Sequence, residues 1–315
     1  MTIEERLKYF IDNFDLITSG VYSRGPKKKI SDGEDRLCRF CHKTKQDTTF
    51  KNESHAIPEC LGNHQLILLD ECDSCNKFFS EQLEDHLDKF TKPFRIAGQI
   101  IGKNGIPEYR TNNKRSKITF VETPLIQSPI GEEFLSVDKD KKEITLKLHQ
   151  EKHIPIAVYK TLIKIAISII ETKNELANFK ATIDWVRSDN IADTVIKPAI
   201  LMQTFIPGPR PTNGVVVSLF RRKPDAVNVP YAILVMGFGN LVFQIIVPSG
   251  LDDGITMNIH IPFFPSPFEL GDWPFGEIKY SSIDLSGTEK ASKEFPLIYS
   301  FESMVQVDPL NLKPC

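Results

Sequence analysis

The chain has 315 residues, of which 41% are hydrophobic and 25% are charged, and its formal net charge is −2. This composition excludes a disordered chain, and the charge excludes the overall basic field that many nucleic-acid-binding domains carry. No apolar run of about eighteen residues occurs, and six cysteines are too few for a disulfide scaffold. We therefore expect a soluble, cytoplasmic protein without a membrane partner.

The N-terminal segment predicts an amphipathic helix, because apolar residues recur at helical spacing along residues 3–17. Its early acidic residues are unlike those of a signal peptide. Residues 1–30 are interpreted as this helix followed by a basic linker. Residues 21–52 carry nine Lys or Arg against four Asp or Glu, and residues 95–118 carry six against one. Such flanks suit a phosphate-binding surface, although ordinary solvated loops have the same composition.

The remaining elements predict an α+β fold. A helix is expected from near Cys75 to the residue before Pro93, strands within residues 116–149, and two helices within residues 154–188. From residue 195 the pattern has period two, with a tight turn at FGN and a proline-rich loop over residues 260–276. We divide the chain into residues 1–30, a cysteine module at 31–92, connecting strands and a helical pair at 93–194, and a mostly β domain of unassigned role at 195–315.

Four cysteines form two CxxC pairs that are typical of zinc ligands. The pairs are CRFC (38–41) and CDSC (72–75), and thirty residues separate them. Two CxxC turns supply four thiolates that can meet around one tetrahedral zinc ion. Cys38, Cys41, Cys72 and Cys75 are therefore predicted to hold a structural zinc with no open coordination position. The alternatives are chance cysteines or a redox pair, although a redox CxxC needs no second copy.

The segment between the two pairs carries further motifs, in the order SHAIPE (54–59), LGN (61–63) and, with the second pair, CDSCN (72–76). Together with CRFC they resemble the zinc-bound subgroup of the HNH endonuclease family, over roughly residues 36–90. The resemblance implies a treble-clef-like ββα-metal unit, in which a hairpin carries the catalytic histidine and a helix contributes to binding a single divalent cation.

The resemblance also implies roles for individual residues. His55 matches the general base that takes a proton from the water attacking a phosphodiester. Asn76 matches the last residue of the HNH motif, which contributes to binding the metal ion. Asn63 is our choice for the middle letter, which braces the hairpin loop, although His64 and Gln65 lie beside it. The implied catalytic ion is Mg²⁺ or Mn²⁺, which would stabilise the leaving 3′ oxygen.

The chain departs from the family pattern directly before His55. Many members have an acidic metal ligand there, whereas this chain has Ser54, with Glu53 one residue earlier. Glu53, Ser54 and Glu84 are therefore further candidate ligands of the divalent ion. Glu84 follows Asn76 by eight residues, about 12 Å along a straight helix, so the two are not expected to bind one ion. Glu84 either ties the helix to the histidine loop or is an ordinary surface acid.

The leading expectation is a metal-dependent HNH endonuclease that acts on DNA, with RNA not excluded, in prokaryotic antiviral defence or restriction. DNA is favoured by the resemblance alone. The second hypothesis is a zinc-stabilised nucleic-acid-binding or regulatory protein that does not cut. A third is an effector that stays silent until the C-terminal region binds a ligand or a protein partner.

Overall fold

The computed structural model describes all residues except 32, 34–35, 121–122, 130, 192, 210–211, 250–259 and 305–315. Part of the predicted strand at 116–123 and part of the predicted β domain therefore lie outside the described residues. The chain forms two compact units. One comprises Met1–Pro107 with Glu151–Ala291, and the other comprises Glu108–Gln150 with Ser292–Cys315. No helix in the described ranges is long and apolar enough to cross a membrane.

Helices and strands alternate irregularly along the described chain, which confirms the predicted α+β class. The helices are α1 Ile3–Asn13, α2 Asp73–Phe79, α3 Asp85–Ala97, α4 Pro155–Ser168, α5 Lys173–Ala177 and α6 Lys180–Arg187. The strands are β1 Phe14–Tyr22, β2 Lys28–Ile30, β3 Ser54–His55, β4 Leu66–Leu68, β5 Tyr109–Arg110, β6 Lys117–Phe120, β7 Pro124–Gln127, β8 Leu135–Asp138, β9 Glu143–His149, β10 Ile200–Phe205, β11 Thr212–Arg222, β12 Ala232–Gly239, β13 Leu241–Val247, β14 Lys279–Asp284 and β15 Glu294–Ser300.

The first helix is shorter than the sequence predicts. A capping box of Thr2 and Glu5 starts α1, but the helix ends at Asn13 and the chain continues as β1. Strand β1 pairs antiparallel with β11, from Phe14 opposite Arg222 to Tyr22 opposite Val215. The prediction of helix up to residue 17 was wrong because the apolar residues there suit either period, and pairing with a distant strand decides between them.

The large sheet of the first unit contains the predicted β region. Its strand order is β1-β11-β12-β13-β10-β14, and all neighbouring pairs are antiparallel. The predicted turn at FGN joins β12 to β13, with Gly239 at a positive φ of 55°. The proline-rich segment 260–276 contains no strand and is anchored to this sheet, where Gln244 donates to the carbonyl of Pro262. Strand β1, from the segment 1–30, therefore belongs to the same sheet as strands of the segment 195–315.

The cysteine module contains a small sheet followed by a long helical region. Strand β4 lies between β2 and β3, and it pairs antiparallel with β3. Helix α2 then begins at Asp73, and a π-helical turn at Ser80–Glu84 joins it to α3. The expected helix end before Pro93 was wrong, because α3 continues through Pro93 to Ala97. Pro93 is buried, so packing offsets the cost of a proline inside a helix, which is about 3 kcal/mol.

Helix α4 lies in the interior of the first unit. Every residue of α4 is buried, and it contacts the π-helical turn, α3, α6 and β13. The sequence predicts a second helix over residues 175–188, and the structure divides that region into α5 and α6. The segment interpreted as a connection therefore supplies the central helix against which the cysteine module packs.

The second unit contains two three-stranded sheets. Their strand orders are β5-β6-β7 and β15-β9-β8, with antiparallel pairing throughout. The strands predicted within residues 116–149 are confirmed as β6, β8 and β9 in the described ranges. Strands β5, β7 and β15 complete the two sheets, and β15 comes from the C-terminal part of the chain and pairs along the whole of β9.

Candidate active site and metal centre

The four predicted zinc ligands form one cluster. Cys72 is the N-cap residue of α2 and Cys75 lies in its first turn, while Cys38 and Cys41 lie in a turn before β3. All four sulfur atoms lie within 4.8 Å of one another, and the sulfurs of Cys41 and Cys72 are 3.6 Å apart. A tetrahedral zinc with Zn–S bonds of about 2.3 Å places its sulfurs about 3.8 Å apart. The cluster therefore fits a closed zinc site.

The surroundings of the cluster favour a thiolate, which is the form that binds metal. Hydrogen bonding from Cys75, supported by the backbone N–H of Cys72, lowers the pKa of Cys38 to about 4. The same hydrogen bond raises the pKa of Cys75, because this thiol donates its proton to Cys38. A cation bound by all four sulfurs would displace the proton that the thiol of Cys75 keeps.

His55 lies on β3 and faces an open groove of about 530 Å³. Strand β3 has only two residues, and the pair His55–Ile67 joins it to β4. Burial lowers the pKa of His55; the carboxylate of Glu59 opposes this effect and the ammonium of Lys164 adds to it. The imidazole is therefore neutral near pH 7, as a general base must be.

Glu59 is a site residue to which the sequence analysis gave no role. Its Oε1 atom lies 3.6 Å from Nε2 of His55 and 3.4 Å from Nδ1 of His64. His64 is half-buried, and its Nε2 lies 3.0 Å from the carbonyl oxygen of Ile101. A carboxylate at this position stabilises positive charge on the ring of His55. The available sequence signal was the IPE motif, which places Glu59 four residues after His55.

The other carboxylates that line the groove differ from Glu59, because each forms an ion pair with a lysine or an arginine. The pairs are Glu53 with Lys27, Glu81 with Lys77, Glu84 with Lys164, Asp85 with Lys89, and Asp88 with Arg95. Among the described carboxylates of the groove, Glu59 is therefore the one whose ion-pair partners are histidines and not a lysine or an arginine.

Asn63 holds the loop between β3 and β4. Its side chain is fully buried and donates to the carbonyl oxygens of Ile57, at 2.7 Å, and Leu66, at 3.2 Å. Its Oδ1 accepts from the backbone N–H groups of Gln65 and Leu66. The amide thus uses both its donors and its acceptor to join the two ends of the hairpin loop. This geometry suits the bracing role that the resemblance implies.

Replacing Asn63 with alanine is expected to destabilise the protein by about 3 kcal/mol, because buried backbone groups lose their partners. The measurement is chemical unfolding of purified, zinc-loaded protein. Asn52→Ala is the matched control, since Asn52 is exposed in the same segment. Equal stability of the two variants would contradict a bracing role for Asn63.

The candidate ligands of a divalent ion are not all in the groove. Asn76, Glu53 and Glu84 line it, while Ser54 is buried outside it and its Oγ has no partner among the described residues. A hydrogen bond from Lys27 lowers the pKa of Glu53. Apart from the cysteines, the described residues form no group of three or more His, Cys, Asp or Glu converging on one point. Mg²⁺ usually takes one or two protein oxygens with water and phosphate, and the side chains of Asn76 and the groove carboxylates offer oxygen ligands of that kind.

Comparison with known proteins identifies the family of this segment. Residues 38–91 match the family model described as HNH endonuclease. The match contains both cysteine pairs, His55, Asn63 and Asn76, and it confirms the resemblance that the motifs predicted. Most of the chain lies outside it. No curated protein and no solved structure matches the chain.

Proposed function

We propose that the chain is a metal-dependent HNH endonuclease that hydrolyses phosphodiester bonds in DNA. The observation that carries this proposal is that a neutral, half-buried His55 and Asn76 line the same groove. Both residues lie inside the family match, which also contains the four-cysteine cluster. The cluster is proposed to hold a structural zinc, because all four thiolates are used and none of the positions is left for substrate.

The proposed chemistry assigns one task to each residue of the groove. The neutral ring of His55 takes a proton from the water that attacks the phosphorus, and the resulting imidazolium charge develops close to the carboxylate of Glu59. Asn76 would hold the divalent ion, together with Glu53, since Glu84 is paired with Lys164. When bound, Mg²⁺ or Mn²⁺ supplies Lewis-acid stabilisation of the phosphate and of the leaving 3′ oxygen. Asn63 keeps the histidine hairpin closed.

The charges around the groove support a phosphate-containing substrate. Lys103, from the second basic segment, is exposed at the groove and has no carboxylate partner among the described residues. Most groove carboxylates are already compensated by ion pairs, which reduces their repulsion of a phosphate. Lys103 is therefore proposed to contact the DNA backbone beside the cleavage site.

Replacing Lys103 with alanine is expected to weaken DNA binding equally for all sequences. The loss of one phosphate contact should also reduce the slope of log affinity against log salt concentration by about 1. Fluorescence anisotropy across a salt series measures both effects, with catalytically inactive protein as the background. Lys139→Ala, which removes an exposed lysine of the second unit, controls for the change in net charge. An identical salt slope for Lys103→Ala and Lys139→Ala would contradict the contact.

The test of the proposed function uses the zinc-loaded full chain. Purified protein is incubated with plasmid DNA and, separately, with RNA, in Mg²⁺, in Mn²⁺ and in EDTA. We expect cleavage of DNA that requires the added divalent ion. Cleavage that persists unchanged in EDTA would overturn the metal-dependent mechanism, and cleavage of RNA alone would overturn the choice of substrate.

A binding protein without cleavage activity is the second candidate. It is favoured by Ser54, which stands where many family members have an acidic ligand and whose hydroxyl is buried away from the groove. This alternative expects salt-sensitive DNA binding with no cutting in any metal, even when an activating partner is supplied. Cleavage in Mg²⁺ or Mn²⁺ decides against it.

A place in prokaryotic defence or restriction is proposed by analogy, since nuclease modules are often fused to regions that control them. Cytoplasmic location and control through the C-terminal region belong to the same proposal. Comparing DNA cleavage by the full chain with and without lysate from phage-infected cells tests it. Equal cleavage in the two conditions argues against control by an infection-derived activator.

A further inference from the structure

Lys164 is a buried lysine that lies outside the matched segment but reaches into it. It is located on α4, and only 1% of its side chain is exposed. Its ammonium lies 3.1 Å from a carboxylate oxygen of Glu71, 3.1 Å from one of Glu84 and 3.0 Å from the carbonyl oxygen of His55. The ammonium donates hydrogen bonds to Glu84 and to the carbonyl of His55, and it forms an ion pair with Glu71.

The three partner groups come from three different parts of the nuclease module. His55 is on β3, Glu71 directly precedes the second cysteine pair, and Glu84 ends the helical turn after α2, the helix that carries Asn76. One ammonium therefore fixes the strand of the proposed base relative to the helix of the proposed metal ligand. Strand β3 has only two residues in its ladder, so the bond to the carbonyl of His55 adds a contact to a strand that has few.

The helix is irregular at the point where it meets Lys164. At the π-helical turn Ser80–Glu84, the backbone N–H of Asp85 bonds to the carbonyl of Ser80 in addition to Leu83. Such a turn accommodates an extra residue and rotates the side chains that follow by about one helical position, and π-helical turns are frequent at functional sites. It brings the carboxylate of Glu84, which also lines the groove, to the ammonium of Lys164.

The ammonium of Lys164 is charged despite its burial. Desolvation alone would lower the pKa of Lys164, but the carboxylates of Glu71 and Glu84 outweigh it and raise the pKa above its usual value. Moving this ammonium away would leave the fully buried carboxylate of Glu71 without a charged partner, which is strongly destabilising. The contact is therefore a rigid one.

We propose that Lys164 is a positioning residue for phosphodiester cleavage, because it fixes the carbonyl of His55 and the carboxylate of Glu84 at one point. The inference rests on the proposed nuclease function and deepens it, since it adds α4 to the catalytic apparatus. A base displaced by about 1 Å lowers the rate of an enzyme by roughly 100-fold. Substrate binding on the outer surface of the groove is expected to change little.

The test is a double variant, Lys164→Met with Glu71→Gln, which removes the ammonium and the carboxylate that would otherwise remain buried without its partner. We expect kcat to fall about 100-fold with KM for DNA within about two-fold of the original. Lys160→Met is the matched control. Lys160 is on the same helix and fully buried, but its ammonium lies near the carbonyl oxygen of Ser188, at 3.4 Å.

A second measurement does not require activity. The backbone N–H of Ala56 donates to the carbonyl of Leu66 across the β3–β4 hairpin, so its hydrogen exchange reports on the position of the histidine strand. Exchange at Ala56 should become faster in the double variant and stay unchanged in Lys160→Met. If the unaltered chain cuts no nucleic acid, the proposed function fails, whereas this measurement still decides whether Lys164 holds the hairpin.

Three outcomes would overturn the inference. One is a stably folded double variant with the original kcat and original exchange at Ala56. Another is an equal fall of kcat in Lys160→Met, which would show that any buried change in α4 lowers the rate. The third is that adding Glu71→Gln to Lys164→Met restores both stability and kcat. Lys164 would then contribute to folding alone.

Discussion

Replacing His55 with alanine is expected to reduce the rate of DNA cleavage by at least about 100-fold, while zinc content and folding stay unchanged. General bases contribute about 100- to 10,000-fold to such reactions, and His55 is the neutral imidazole that faces the groove shared with Asn76. The ring makes few hydrogen bonds, since its Nδ1 has no partner among the described residues, so its removal costs little stability. Single-turnover cleavage of plasmid DNA in Mg²⁺ or Mn²⁺ measures the effect.

The matched control for this prediction is His149→Ala. His149 also lies beside a carboxylate, at 3.0 Å from Glu294, but it belongs to the second unit. Its replacement should leave the rate unchanged. If His55→Ala retains the full metal-dependent rate, His55 is not the general base. Full activity of His55→Ala in EDTA as well would show that the observed cleavage comes from a contaminating nuclease.

The parts of the site that depend on short-range sequence were predictable. The two CxxC turns give sulfur atoms that converge, and the loop from His55 to Leu66 closes through hydrogen bonds of one asparagine. Both features depend on residue types at fixed local spacing, which sequence displays directly. The placement of His55 and Asn76 around one groove also follows from the order of hairpin and helix in the chain.

The contacts that join the module to the rest of the chain could not be predicted. Lys164 lies more than one hundred residues after His55, and Arg39 donates to the carbonyl oxygens of Ile167, Ser168 and Ile170 at the end of α4. In sequence, a lysine within an apolar helix indicates only an interruption of the apolar stripe. Its partners depend on tertiary packing, which the local pattern does not encode.

The same reason explains the wrong element boundaries. Residues 14–17 suit a helix by spacing, yet β1 gains a full antiparallel partner in β11, two hundred residues later. A proline ends most helices, but Pro93 is buried inside α3, a helix that packs against α4. Long-range burial outweighed a local preference in both places. The role of Glu59 was not predictable for a different reason, because it depends on two histidines that only the folded loop brings to its carboxylate.

Replacing Cys75 with serine is expected to unfold the cysteine module rather than to slow a chemical step. The four sulfur atoms form a closed set, so the loss of one weakens zinc binding throughout the cluster. Zinc binding supplies about 10–16 kcal/mol in small zinc-dependent modules, which exceeds the stability of most domains. The zinc content measured by metal analysis should fall from about one ion per chain to well below one, and the unfolding temperature should fall with it.

Cys60→Ser is the matched control, because Cys60 lies outside the cluster and is half-buried at the groove. It should keep its zinc and nearly its full stability.

The consequence of losing Cys75 should extend beyond the module, since Arg39, between the first two ligands, caps the end of α4, and Lys164 of α4 holds the strand of His55. Hydrogen exchange should therefore increase in α4 as well as at Ala56 in Cys75→Ser, whereas His55→Ala should leave both protected. Unchanged metal content and stability in Cys75→Ser would rule out a structural zinc at this cluster.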